Sequence, residues 1–279
     1  DYYPWYYYYK ILGNANAIIN NVDAATGPDN EKRFLKAQAL TFRAYCFFRL
    51  SQVYSKRWSD SNNGASRGVV LRLDESTGDM AVSTLAETYA RIYQDLDDAL
   101  ALYAESKLNR DEDENYAVNA DVAHAIYARA ALTREDWAVA ASHAASARAN
   151  YTLMNNAQYV NGGFNTPNKE WIWSVYSNAQ ETLYFYQFFA NQGSNSNAAL
   201  ARNYPCAISK ELYDSIPTTD VRRAMFLNPD TMTFNTSSGL AGKWMTAYAK
   251  RAYKKKLYST SRIYAYMQFK MQAVSNPGV

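Results

Sequence analysis

Hydrophobic residues recur at helical intervals through the first half of the chain. Their spacing predicts helices over Tyr6–Val22 and Phe34–Tyr54, and Gly27-Pro28 separates the two. The second of these helices is apolar on most of its faces. A helix with that pattern lies buried between neighbouring helices rather than on a surface. The pattern therefore predicts a layered helical structure with Phe34–Tyr54 inside it.

A third predicted helix begins at a capping box. Thr84 and Glu87 have the Thr-x-x-Glu spacing in which each side chain bonds the backbone N–H of the other. Along the helix that follows, Arg91, Asp97 and Asp98 face away from an apolar stripe. The stripe consists of Leu85, Tyr89, Ile92, Leu96, Leu100 and Tyr103.

An Ala-rich pair of helices comes next. Asn119–Thr133 and Trp137–Asn150 are joined by the short polar turn "REDW". The small side chains of both segments allow two helix backbones to approach closely. Stacked helix pairs of this kind build a tetratricopeptide-like solenoid, although the strict consensus of that repeat is not visible here.

The pattern changes after about residue 155. Helical periodicity fades, Gly, Asn and Ser segments predict loops, and short aromatic runs such as "WIWSVY" predict strands. Ser209–Ile216 predicts a short helix. We therefore predict a mostly α fold, in which residues 1–155 form a tetratricopeptide-like helical scaffold. Residues 156–279 form a loop-rich, irregular, ligand-facing part of the same domain, with short strands.

Composition adds one departure from an ordinary globular protein. The chain has 25 Tyr, 6 Trp and 11 Phe, and the three together make up 15% of its residues. Tyr and Trp combine a flat apolar face with a polar edge, so their excess favours surfaces that bind another molecule. The net charge of +3 is too small to indicate a nucleic-acid or membrane-surface partner.

The basic run Lys250–Lys270 does interleave cations with aromatic rings, as a single-strand nucleic-acid groove does. It is short and has no accompanying RNA-binding motif, so a solvated segment is the simpler interpretation. We predict no nucleic-acid partner.

Catalytic and metal-binding patterns are weak in this sequence. His124 and His143 stand one on each arm of the Ala-rich hairpin without a third convergent ligand, which favours ordinary packed or half-exposed histidines. The acidic run Arg110–Tyr116 lacks the ligand spacing and the Gly of a calcium loop, so a solvated loop is favoured. Cys46 lies among aromatic residues and predicts a buried free thiol. No enzyme motif is found, and we predict no cofactor, no metal and no catalytic residue.

The aromatic residues are the better candidates for function. Trp58 lies in the polar loop "YSKRWSDSNNG", where it has little core to enter, and Tyr184 and Tyr186 alternate with Phe in "YFYQFFANQGSNSN". Sugars present apolar C–H faces and rings of hydroxyls, so their sites combine flat aromatics with amide side chains. The alternative for each ring is a plug that anchors its loop to the scaffold. The predicted ligand-binding residues are Trp58, Tyr184, Tyr186, Asn191, Gln192 and Asn195.

One helix carries a resemblance to a known family. The segment "FLKAQALTFRAYCFFRLSQVY" resembles the signature helix of the SusD/RagB family, with Gln38 to Tyr45 as its matching core. Further similar segments occur in the family's order and extend over nearly all of the chain. They are "YYKILGNANAIINNVD", "STLAETYARIYQDLDDAL", "AHAIYARAAL", "KEWIWSV" and "LYDSIPTTDVRR".

The resemblance implies a mostly α-helical fold and a non-catalytic function. Family members are surface lipoproteins that capture oligosaccharides or polysaccharides and cap a SusC-like TonB-dependent transporter of the outer membrane. It also implies that this chain is the middle of a longer protein, without the N-terminal lipid anchor and the C-terminal helices. Family binding residues vary between members, so no individual position is transferred from them.

Two other functions are compatible with the same sequence. A helical-repeat scaffold that binds only a protein or peptide would bury the aromatic candidates. A helical glycoside hydrolase, the less favoured alternative, would need a pair of carboxyl groups in its cleft.

Overall fold

The computed structural model describes residues 2–160, 164, 167–174, 206–226, 266–268 and 270. Helices dominate these residues, which confirms the predicted mostly α fold. The α-helices in the described ranges are α1 (Tyr2–Asn21), α2 (Asp29–Tyr54), α3 (Leu85–Ser106), α4 (Ala120–Thr133), α5 (Trp137–Arg148), α6 (Asn156–Val160) and α7 (Lys210–Ser215). Short 3-10 helices cover Val22–Ala24, Trp58–Asp60 and Val221–Met225.

The chain divides into two compact units. The first contains the residues up to Tyr151 and the returning segment Ile172–Ser174. The described residues of Thr152–Trp171 and those from 206 onward belong to the second. The helices α1 to α5 therefore all lie in the first unit.

In the first unit each helix packs against the next one along the chain, from α1 to α5. The central position of α2 that the sequence predicted is confirmed, because α2 packs against both α1 and α3 and buries residues on most of its faces. Burial raises the pKa of the Cys46 thiol to about 12, which agrees with a packed and unreactive cysteine. The largest fully buried side chains of this core include Phe47, Phe48, Leu12, Leu50, Ile92 and Leu96.

Local capping sequences set where the helices begin. At the start of α3 the hydroxyl of Thr84 accepts from the backbone N–H of Glu87, and the Glu87 carboxylate accepts from the backbone N–H of Thr84. The predicted capping box is confirmed. Asn119 caps α4 in the same manner, through its bond to the backbone N–H of Val122. The first two helices start earlier than predicted, and α2 takes up the acidic residue Asp29 in its first turn, where the helix dipole favours negative charge.

A group of buried polar side chains joins α1, α2 and α3. Arg43 of α2 donates from Nε and Nη2 to the two carboxylate oxygens of Asp95 of α3, at 2.8 and 2.7 Å. Its Nη1 donates to Oδ1 of Asn16 of α1 at 3.1 Å. Arg91 of α3 also pairs with Asp95, which is fully buried. The apolar stripe predicted along α3 did not include Asp95, although that residue lies on the buried face.

Arg110 holds the segment that returns to the first unit. Its guanidinium donates to the backbone carbonyls of Ala117 and Ile172 and to the hydroxyl of Tyr151. The segment 171–174 itself is irregular, so the strand predicted for "WIWSVY" is not confirmed in the residues that are described. Strand pairing in the described ranges consists of isolated bridges between Arg67 and Thr84, Ala207 and Met267, and Phe226 and Gln268.

In the second unit, the predicted helix near Ser209–Ile216 is confirmed as α7, with Ser209 as its N-cap. The guanidinium of Arg223 lies 4.1 Å from the ring centroid of the buried Tyr213. Its Nη1 donates to the backbone carbonyls of Tyr213 and Ile216. The segment "YFYQFFANQGSNSN" lies outside the described residues.

The buried polar group generates a stability prediction. We expect Asp95→Ala to lower the free energy of unfolding by about 3–5 kcal/mol, because it leaves the Arg43 guanidinium buried without a counter-charge. Urea denaturation monitored by circular dichroism would measure this change. The control is Asp29→Ala, which removes an exposed carboxylate paired with Lys32 and is expected to change stability little. Equal effects of the two substitutions would contradict the role assigned to the buried pair.

Candidate functional site

Trp58 is the predicted site residue that the structure describes. It begins the 3-10 helix Trp58–Asp60, and its half-buried ring packs against the hydrophobic core. The ring of Tyr89 approaches it edge-on, with centroids 5.5 Å apart and an interplanar angle of 82°. The guanidinium carbon of Arg134 lies 4.9 Å from the Trp58 ring centroid. The expectation that Trp58 has little core to enter is therefore wrong, and only part of the ring is available to a ligand.

The loop around Trp58 explains how a polar sequence buries half of an indole. Gly64 has φ +83°, and a Cβ atom placed there would lie 2.7 Å from the Trp58 ring and 2.7 Å from the Cβ of Ala86. Glycine therefore allows the loop to close over the ring. Arg134 also lies near both Trp58 and Tyr93. Tyr89 and Arg134 are distant from Trp58 in sequence, so the polar residues next to Trp58 did not reveal them.

The remaining predicted residues lie outside the described ranges. Their part in ligand binding stays a prediction. They are Tyr184, Tyr186, Asn191, Gln192 and Asn195.

The structure brings together an aromatic surface that the sequence analysis missed. Tyr7 and Tyr8 of α1 meet edge to face with centroids 5.3 Å apart, and Tyr8 meets Tyr45 of α2 at 6.2 Å. Tyr45 in turn contacts Trp173 of the returning segment at 5.1 Å, and Trp173 contacts Phe42 at 6.0 Å. We call these five residues the aromatic row. They lie in one compact unit and come from three separate parts of the chain.

The aromatic row is open at its α1 end. Tyr7 is 46% exposed and stacks on Tyr3, which is 73% exposed, with ring centroids 6.0 Å apart. In "DYYPWYYYYK" these two tyrosines are four residues apart, and on a helix this spacing places them on one face. That signal was missed because the predicted helix began only at Tyr6.

Polar side chains border the same end of the row. Nε of Arg49 donates to the hydroxyl of Tyr8 at 3.4 Å, and its Nη1 donates to Oε1 of Gln52 at 2.7 Å. Indole Nε1 of Trp173 donates to the backbone carbonyl of Tyr116 at 2.9 Å, which orients its ring. Flat rings with guanidinium and amide groups beside them suit a ligand that has apolar faces and hydroxyl edges.

The two histidines form a direct pair between α4 and α5. Nδ1 of His124 lies 2.8 Å from Nδ1 of His143, and the ring of His143 stacks on Tyr127 at a centroid distance of 3.9 Å. Burial lowers the pKa of both imidazoles, while Asp121 acts in the opposite direction on His124 and Asp97 on His143. The pair therefore favours the neutral state, in which one Nδ1 donates and the other accepts. It agrees with the packed histidines that the sequence favoured.

A search of the described residues for groups of three or more metal-ligating side chains finds none. Within the same part of the chain, no helix is both long enough and apolar enough to span a membrane.

The packing of Trp58 predicts a structural cost for its removal. We expect Trp58→Ala to lower the free energy of unfolding by about 2 kcal/mol, less than the cost for a fully buried aromatic residue. Thermal or urea denaturation would measure the loss. Trp137→Ala is the matched control, because Trp137 is 62% exposed, and we expect a change within about 0.5 kcal/mol. A Trp58→Ala variant as stable as the wild type would show that the packed ring contributes nothing to the scaffold.

The histidine pair predicts a pH dependence of stability. Because the folded-state pKa of each imidazole lies below its ordinary value of 6.5, the folded chain binds these protons less readily than the unfolded chain. The stabilisation is therefore complete above pH 6.5 and is lost as the pH falls below it. Urea denaturation between about pH 7 and about pH 5 should show the decline. The double variant His124→Asn/His143→Asn should show a smaller decline, and an equal one would contradict the assignment.

Residues 2–132 match the model of the SusD-like family described as "Starch-binding associating with outer membrane". A search of curated proteins gave no significant match.

Two solved structures illustrate the likeness of fold. A SusD-like carbohydrate binding protein from Bacteroides vulgatus is 25% identical, with a TM-score of 0.70 over 80% of this chain and 46% of its own. A SusD superfamily protein from Bacteroides thetaiotaomicron is 18% identical, with a TM-score of 0.60 over 90% of this chain and 56% of its own. The present chain thus spans about half the length of both proteins. Residues 2–132 of this chain are thus similar to the SusD-like family, and the chain shares its helical fold with a solved SusD-like carbohydrate binding protein.

Proposed function

We propose that this protein is a non-catalytic glycan-binding protein of the cell surface that delivers oligosaccharides to a TonB-dependent outer-membrane transporter. The observation that carries the proposal is the match of residues 2–132 to a family described as starch-binding and associated with the outer membrane. The solved structure with a TM-score of 0.70 is itself described as a carbohydrate binding protein, which supports the same class of ligand.

The proposed mechanism is stacking of sugar faces on exposed aromatic rings. Trp58, Tyr184 and Tyr186 are the proposed stacking residues, and Asn191, Gln192 and Asn195 would add hydrogen bonds to hydroxyl groups. For Trp58, the part of the ring left uncovered by the scaffold would make the contact. Each stack contributes about 1 kcal/mol beyond the burial of its area, so one ring binds weakly. Several rings that engage one polysaccharide bind it tightly, because the later contacts are intramolecular.

The aromatic row is a second surface on which aromatic rings stand beside hydrogen-bonding side chains. Tyr7 leaves nearly half of its surface free, and Arg49 and Gln52 stand beside the neighbouring Tyr8. A polysaccharide chain that crosses these groups would meet ring faces and hydrogen-bonding groups together. Tyr7 is therefore a proposed ligand contact in addition to the residues predicted from the sequence.

The helical layer is the proposed surface for the SusC-like transporter. Stacked helices present broad faces on rigid backbone, which suits a large protein partner. Attachment to the outer membrane would come from an N-terminal lipid group in the full-length protein.

A peptide- or protein-binding scaffold is the alternative function. The exposed tyrosines of α1 favour it, because tyrosine is enriched in protein–protein interfaces. A glycoside hydrolase is the less favoured alternative, since it would need two carboxyl groups that face one sugar-sized cleft.

Affinity electrophoresis in native gels cast with a panel of polysaccharides, including starch, would test the proposed function. We expect retardation by at least one glycan. Removal of one stacking ring, in Tyr184→Ala or Tyr7→Ala, should weaken binding about fivefold, which corresponds to about 1 kcal/mol. Trp137→Ala removes an exposed aromatic ring outside the proposed surfaces and should bind as the wild type does.

Three outcomes would count against the proposal. A folded wild-type protein that no glycan retards would exclude glycan capture and favour the peptide-binding alternative. Equal retardation of all variants would remove the stacking residues from the mechanism. Release of reducing sugar during incubation with a bound glycan would identify a hydrolase.

A further inference from the structure

A solvent-facing cleft lies at the junction of α3 and α4 in the first unit. Its volume is about 400 Å³, toward the small end of the range of about 300–1,000 Å³ that is usual for small-ligand sites. One wall is apolar and consists of Leu100, Ala104 and Leu108. A polar wall includes Asp121 and His124 from the first two turns of α4.

Several polar groups of this wall have free or weakly used hydrogen-bonding positions. Oδ1 of Asn109 accepts from Nδ2 of Asn119 at 3.0 Å, while Nδ2 of Asn109 has no partner among the residues that the structure describes. Nδ2 of Asn150 lies 3.5 Å from both carboxylate oxygens of Asp121, which is the limit of a hydrogen bond. Asp121 also accepts from the hydroxyl of Tyr151 at 3.2 Å. A ligand can therefore accept hydrogen bonds from the amide groups of Asn109 and Asn150 and donate one to the Asp121 carboxylate. It would replace only weak hydrogen bonds within the protein.

The charges of the lining indicate a neutral ligand. Lys107 is the cation of the cleft and Asp121 its anion, so the lining carries no net charge while His124 is neutral. Lys107 ends α3 in the left-handed conformation, with φ +56°, and forms no ion pair within the described part of the chain. Such a lining gives neither an anion nor a cation a net attraction, whereas the hydroxyl groups of a neutral ligand can accept from Nζ of Lys107 and Nδ2 of Asn109 and donate to the Asp121 carboxylate.

From these observations we propose that the cleft binds a short neutral saccharide of one or two rings. The C–H face of a sugar ring lies against Leu100, Ala104 and Leu108, and its hydroxyls meet the polar wall. This inference rests on the proposed glycan-binding function and deepens it, because it assigns a separate small-sugar site to the helical scaffold. The site would hold a chain end or a released disaccharide, while the exposed aromatic surfaces hold the polymer.

Maltose is the probe, because it is the disaccharide unit of starch. Titration calorimetry on the full chain would measure its dissociation constant. Ala104→Phe places a ring into the cleft and should weaken maltose binding at least about tenfold. Ala101→Phe is the matched control, since Ala101 is also an exposed residue of α3 but does not line the cleft. It should change the dissociation constant by less than about twofold, within the usual effect of a surface substitution.

The same variants separate this inference from the proposed function when they are run in the polysaccharide gels. If Ala104→Phe and Ala101→Phe bind maltose equally well, or if the wild type binds polysaccharide but no maltose, the cleft site is refuted and glycan capture stands. If the wild type binds neither maltose nor any polysaccharide, both proposals fail. Free alanine that displaces bound maltose from the cleft would also refute it, because it would show that a zwitterion is preferred.

Discussion

The buried contact between Arg43 and Asp95 is the interaction on which the rest of the first unit depends. A buried pair of a guanidinium and a carboxylate is stable only if the other polar atoms of the two groups also have hydrogen-bond partners. Asn16 completes the set: its Oδ1 accepts from Arg43, and its Nδ2 donates to the backbone carbonyls of Arg72 and Asp74. Three helices and the loop after α2 are thereby fixed in one register. A shift of α2 or α3 would leave a buried charge unpaired, and a shift of α1 would remove the partner of Nη1 of Arg43.

That register determines where the functional surfaces lie. Because α1 is fixed against α2, Tyr8 of α1 meets Tyr45 of α2, and Tyr7 packs on Tyr8. Arg110 holds the backbone of Ile172 next to Trp173, which contacts Tyr45 and completes the row. The cleft at the start of α4 depends on the same packing, since Leu100 and Ala104 of its apolar wall belong to α3. Most of the residues of both surfaces stand on helices, where contacts with a ligand cost little ordering of the protein.

Such surfaces can capture a glycan through several weak contacts along one glycan chain. Aromatic faces bind any sugar ring that offers a C–H face, whereas amides and guanidinium groups select the arrangement of its hydroxyls. The cleft has no net charge and has room for one or two sugar rings. It therefore also selects a ligand by its size, which a flat surface does not. The aromatic surfaces would retain the polymer, whereas the cleft would recognise its short products.

The sequence by itself determined the helices, because apolar spacing, capping residues and small-residue stripes are local properties of the chain. It placed α2 inside the core, the capping box at Thr84 and the short helix near Ser209. The tertiary structure alone decided which aromatic rings are buried: Trp58 depends on Tyr89, Arg134 and Gly64, and Tyr45 meets Trp173 from more than a hundred residues away. The apolar stripe along α3 did not include Asp95, and only the packing of α2 against α3 places Arg43 opposite it. Contacts between distant residues are set by how the helices pack, and no local pattern along the chain records them.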